Sequence, residues 1–136
     1  MQRVFADAGY WIGLFNDRDS LHPRAVAASR KFRPHQIVTS EMVLSELLNN
    51  FSERGLHFRQ AAAIGVASLR GLSEVAIVPQ TPELFARAFQ RYQAMSDKGW
   101  SLTDCASFII MEDEGLTAAL SHDHHFVQAG FQALLR

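Results

Sequence analysis

The stretch Val4-Phe5-Ala6-Asp7-Ala8-Gly9-Tyr10-Trp11 decides how this chain is read. Val4-Phe5-Ala6 is short, apolar and partly β-branched, as in a buried strand. Asp7 ends that run. From Ala8 to Phe15 the pattern turns helical, with Tyr10, Trp11, Leu14 and Phe15 at one-turn spacing. A strand that ends on an acid and leads into a helix suits a parallel α/β sheet, where ligands bind beyond the carboxyl ends of the strands.

The same alternation continues outward. Asn16–Ser20 is a turn, and Pro23 suits the first turn of a helix running to about Arg33, where Pro34 helps stop it. Ile37-Val38-Thr39 is a second strand. Ser40 caps a helix from Glu41 to about Arg54, with Gly55 as its stop. Phe58–Leu69 is a further helix closed by Gly71, and Val75–Val78 is the clearest strand in the chain. Thr81-Pro82-Glu83 starts a helix reaching about Met95. A helix over Ser101–Glu114, a strand at Thr117–Leu120, a short helix at His124–Ala129 and an edge strand within Phe131–Leu135 complete the pattern. Strands alternating with helices predict one α/β domain over residues 1–136, with a mainly parallel sheet covered on both faces.

Composition sets the outer bounds. The chain has 136 residues, 48% hydrophobic and 20% charged, which is enough for a buried core. No apolar run reaches membrane-spanning length, and the first residues do not resemble a signal peptide. Cys105 is the lone cysteine, which excludes an internal disulfide and a thiolate zinc cluster and is compatible with a cytoplasmic protein. With 13 Lys+Arg against 14 Asp+Glu the net charge is −1, which argues against a protein that coats duplex DNA. The basic residues Arg24, Arg30, Lys31 and Arg33 fall in one segment, best read as a solvated helix face.

Four acids stand out: Asp7, Glu46, Asp104 and Asp123. Each has an ordinary alternative. Asp7 could cap the helix at Ala8, Asp123 could cap the turn at His124, and Ser101-Leu102-Thr103-Asp104 is a capping-box pattern. Glu46 could be an exposed helical glutamate, but with Met42, Val43, Asn49 and Asn50 as helical neighbours it borders the apolar stripe, where a carboxylate has lost some hydration. Asp7 and Asp123 directly follow strands, which puts both at the ligand-binding edge. Several carboxylates gathered in poor solvation need a cation, and clustered oxygens are what Mg²⁺ or Mn²⁺ requires.

Five segments together resemble a PIN domain: Phe5–Tyr10, Asp19–Ala25, Val38–Glu46, Trp100–Phe108 and Leu120–Phe126. The resemblance spans nearly the whole chain in motif order and looks closest to the VapC-type ribonuclease toxins. It implies a three-layer α/β/α fold and an acidic metal site on Asp7, Glu46, Asp104 and Asp123, supported by the hydroxyl of Thr103 with Ser101 nearby. It also implies a Mg²⁺- or Mn²⁺-dependent endoribonuclease, often a homodimer and often inhibited by a small antitoxin protein. Gly9 departs from the pattern, because many members carry a hydroxyl or other small side chain there.

Other residues read more plainly. His122, His124 and His125 flank Asp123, but adjacent histidines rarely face one site and no His-Glu-x-x-His pattern is present. Cys105 reads as packed rather than nucleophilic. Trp11, Phe15, Phe85, Phe89 and Phe108 read as core or as part of a dimer surface. Two other functions compete with the toxin: a PIN-like RNA-processing or flap nuclease without an antitoxin, and a non-catalytic interaction module whose acids are only caps.

Overall fold

A computed structural model describes residues 2–136. Five parallel strands, β1 (Val4–Ala6), β2 (Ile37–Ser40), β3 (Ala76–Val78), β4 (Ala118–Leu120) and β5 (Gln132–Ala133), form one sheet in the order β3-β2-β1-β4-β5. The central strands β1, β2 and β4 are buried along their whole length. That burial explains their continuous apolar or small-residue runs: a parallel strand sandwiched between helix layers has no solvent face.

Among the described residues, seven α-helices join the strands: α1 (Ala8–Phe15), α2 (His22–Lys31), α3 (Glu41–Phe51), α4 (Leu56–Gly71), α5 (Pro82–Ala94), α6 (Leu102–Glu114) and α7 (His124–Gln128). α1 packs on α2 and α3, and α3 on α4, while α5 packs on α6 and α6 on α7. Strand order runs outward from β1 in opposite directions through β2–β3 and through β4–β5. Right-handed crossovers therefore place the two helix groups on opposite faces, giving three layers. The strand order reverses between β1 and β4, and a crevice forms at the carboxyl edge of such a switch point.

Several boundaries differ from the sequence reading for clear physical reasons. α3 stops at Phe51 rather than near Arg54. Gly55, expected to end that helix, instead begins the next one, with φ of 95°. Its left-handed backbone lets the chain reverse in a few residues between α3 and α4. β3, the most strand-like run by composition, is the exposed edge of the sheet and pairs only with β2. Phe85 and Phe89 lie on the exposed face of α5, so they are not core, whereas Trp11, Phe108 and Cys105 are buried as expected. Arg24, Arg30, Lys31 and Arg33 are all exposed, and Arg24 donates to the Leu135 carbonyl at 2.9 Å. No described helix is long and apolar enough to cross a membrane.

Candidate active site

The site lies at the carboxyl ends of β1 and β4. Their register pairs Ala6 with Leu120, so the next residues, Asp7 and Ser121, emerge side by side. The Asp7 amide donates to the Leu120 carbonyl at 3.2 Å, and the buried Ser121 hydroxyl donates to Asp7 Oδ2 at 3.0 Å. Ser121 Oγ in turn accepts from the Asp123 amide at 3.1 Å. One serine thus ties the first acid to the last. Thr39 steadies the other side of β1: its hydroxyl donates to the Ala6 carbonyl at 2.8 Å and accepts from the Trp11 indole at 3.2 Å.

Asp104 enters from α6. Its amide donates to Ser101 Oγ at 3.0 Å, and its own Oδ2 accepts from the Ser101 amide at 3.1 Å, which is a full capping box. The same Oδ2 lies 3.0 Å from His125 Nδ1, which is also 3.4 Å from Asp123 Oδ1. Asp123 caps α7 by accepting from the His125 amide at 2.9 Å. The capping readings of Asp104 and Asp123 therefore hold, and both acids still face the crevice. Asp7 behaves differently: it stands at the N-cap of α1 but makes no side-chain cap hydrogen bond. Its carboxylate is committed to Ser121.

Trp100 and the aromatic residues below it set the position of α7 against α6. The Trp100 indole donates to Gln128 at 3.2 Å and meets Phe108 edge-on at 4.9 Å, and Phe108 meets Phe126 edge-on at 5.0 Å. Glu46 comes from α3, which touches α6 at this edge, and it is exposed. Thr103 is half-buried in the first turn of α6, and its carbonyl accepts from Ser107 Oγ at 2.8 Å. The Gly9 position has room for a side chain, since a Cβ there would meet only Leu21 Cδ1, at 3.9 Å.

Electrostatics tie the acids together. Burial pushes the Asp7 carboxyl up from 3.8 to about 7, against the pull of the Ala8 amide and the Ser121 hydroxyl and with added repulsion from Asp104 and Glu46. Burial also raises Asp104, with Asp123 adding to the shift and the Ser101 amide and His125 opposing it. Glu46, exposed as a whole residue, is raised by partial desolvation of its carboxyl and then by Asp104 and Asp123. Among the described residues, no lysine or arginine forms a salt bridge with any of the four acids. Acids that repel one another, with His125 beside Asp104 and Asp123, offer the oxygen donors that a hard divalent cation takes.

Two participants were not singled out in the sequence. Ser121 is visible only through the β1–β4 register, and its one advance signal is its place directly after a strand. His125 lies in the His-Asp-His-His run, which was read as surface or groove histidines and not as partners of Asp104 and Asp123. In the structure His124 and His125 both approach Asp123, with donor atoms of the three residues within 4.8 Å of one another, while His122 is exposed and accepts at its carbonyl from Arg136.

Acids at the carboxyl ends of β1 and β4, the switch point of a five-stranded parallel sheet, define a class, and residues 4–132 match the PIN domain family. The chain belongs to that family. Among curated proteins it is similar to the 23S rRNA-specific endonuclease VapC20 of Mycobacterium tuberculosis, with 28% identity over 128 residues, covering 94% of this chain and 95% of that protein. The crystal structure of VapC20, described as a Sarcin-Ricin loop cleaving toxin, superposes with a TM-score of 0.84 at 26% identity, covering 94% of this chain and 95% of that one. FitAcB from Neisseria gonorrhoeae shares the fold at a TM-score of 0.66 and 15% identity, covering 96% of this chain and 95% of that one. PAE2754 from Pyrobaculum aerophilum shares it at 0.62 and 14%, covering 98% and 90%.

Proposed function

We propose that this protein is a divalent-metal-dependent endoribonuclease and the toxin of a toxin–antitoxin pair. The observation that carries the reading is the hydrogen-bonded chain that links Asp7 through Ser121 to Asp123, and Asp104 through His125 to the same Asp123, at the carboxyl ends of β1 and β4. Membership of the PIN family and the likeness to an rRNA endonuclease along nearly the whole chain support it. Asp7, Asp104 and Asp123 would hold the ion, Mg²⁺ or Mn²⁺, with Glu46 completing the shell directly or through water. An ion held there would supply the Lewis acidity that activates water and offsets charge on the phosphoryl oxygens.

The protein's own residues do the rest. Ser121 orients the Asp7 carboxylate, and the capping box holds Asp104 at the start of α6. His125 restrains Asp104 against Asp123. Thr103 and Ser101 place hydroxyls beside the third acid, and no side-chain nucleophile is required. Cys105 is unsuited to that role, because it is fully buried and its thiol is raised by burial and by Asp104.

RNA is the substrate, and structured rRNA loops are its class, by analogy with the relative. Two partners complete the proposal: a small antitoxin protein, and a second copy of this chain. The dimer reading is supported by Phe85, Phe89 and Tyr92, which form an exposed stripe along α5 at helical spacing. Cytoplasmic RNA would be the setting.

The test is incubation of purified protein with 23S rRNA and a panel of other structured RNAs in Mg²⁺, Mn²⁺ or chelator. Metal-dependent cleavage that Asp104→Asn abolishes, with folding intact, is the expected result. Cleavage persisting in a folded Asp104→Asn variant, or absent with every ion, would overturn it.

A further inference from the structure

We propose that Asp123, His124 and His125 form a binding site for a borderline transition ion such as Zn²⁺ or Co²⁺ at the rim of the acidic crevice. An ion held there draws Asp123 and His125 away from Asp104.

The site follows from how the chain starts α7. Consecutive side chains normally diverge, but the Asp123 carboxylate folds back to accept the His125 amide at 2.9 Å. That turn leaves Asp123 Oδ1 between two imidazoles, 3.6 Å from His124 Nδ1 and 3.4 Å from His125 Nδ1. The rings lie 4.5 Å apart, and one donor from each residue falls within 4.8 Å of the other two. Bonds of roughly 2.0–2.2 Å place tetrahedral donors about 3.3–3.6 Å from one another, so two edges of such a site are already set. His124, with its side chain 61% exposed, leaves the ion an open path from solvent.

Donor chemistry separates this rim from the crevice. Two imidazole nitrogens and one carboxylate favour Zn²⁺, Co²⁺ or Ni²⁺ over Mg²⁺, whereas Asp7, Glu46 and Asp104 offer only oxygen. His125 Nδ1 cannot bind an ion and donate to Asp104 at once. Occupancy of the rim therefore frees Asp104 from its 3.0 Å imidazole partner and engages Asp123. The consequence for catalysis rests on the nuclease reading; binding itself does not.

The experiment uses tag-free full-length protein, titrated with Co²⁺ in excess Mg²⁺ and followed by visible absorption. One Co²⁺ per chain with a tetrahedral-type spectrum is expected, at least tenfold weaker in His124→Ala and within about twofold of parental in Glu46→Gln. Equal affinity in His124→Ala, or loss of binding in Glu46→Gln, would place the ion in the crevice and overturn the proposal, as would no spectrum at all. In parallel, Zn²⁺ should inhibit Mg²⁺-supported RNA cleavage by the parental protein at least tenfold and spare His124→Ala. Equal inhibition of both would also overturn it. If no RNA is cut under any condition while the His124-dependent Co²⁺ site remains, the nuclease reading falls and the rim site stands.

Discussion

Asp7 holds its proton more tightly than an exposed aspartate, because ionising it means placing charge in a half-buried, poorly solvated position beside two other acids. The sign of the resulting pH dependence follows. With a carboxyl at about 7 folded and near 3.8 unfolded, the native state keeps a proton that the unfolded state releases, so stability falls as pH rises from about 4 to 7. In chelator at pH 8, Asp7→Asn should therefore be more stable than the parent, by on the order of 2 kcal/mol, a difference that shrinks toward pH 4. Urea unfolding at the two pH values measures it; a destabilised Asp7→Asn at pH 8 would contradict the electrostatics. Ser121→Ala removes the hydroxyl that orients Asp7 and should weaken divalent-ion affinity about 10-fold or more, read by calorimetry. The acids themselves were legible in the sequence, as were the caps formed by Asp104 and Asp123. Ser121 and His125 were not, because their partners lie 114 and 21 residues away and depend on strand register and on the way α7 packs.

Four helices begin with a satisfied side-chain cap: Ser40 on α3, Thr81 on α5, Ser101 on α6 and Asp123 on α7, whereas α1 begins without one. These starts were readable because capping is a local matter of one oxygen and one amide a few residues on. Helix ends were less readable. α3 frays out after Phe51 although its helical pattern continues, and Gly55 serves the following helix instead. β3 was the clearest strand in the sequence and is one, at the edge of the sheet, since β-branched residues suit an edge strand as well as a central one. Thr81 lies away from the acids and provides a control: Thr81→Ala should cost about 1 kcal/mol of stability by urea unfolding and leave metal binding unchanged. Ser101→Ala should cost a similar amount and also lower metal affinity, because its box holds Asp104 in place. Equal metal affinity in the two variants would separate the capping box from the site.

At the scale of the whole molecule, strand order brings together acids that the sequence spreads over more than a hundred residues. Asp7 and Asp123 arrive on neighbouring strands, and α3 and α6 deliver Glu46 and Asp104 to the same edge. The exposed stripe of Phe85, Phe89 and Tyr92 is the surface to test for self-association. Phe85→Ser with Phe89→Ser should halve the mass seen by light scattering, and a parental protein that is already monomeric would remove the dimer from the account. The central claim is that the four carboxylates make one cation site. Mn²⁺ binding followed by electron paramagnetic resonance, on the parental protein and on Asp7→Asn, Glu46→Gln, Asp104→Asn and Asp123→Asn, tests it most directly. The account predicts saturable binding that every one of the four substitutions weakens, by about tenfold or more for Asp7 and Asp104. Parental affinity retained in folded Asp7→Asn and Asp104→Asn would contradict it.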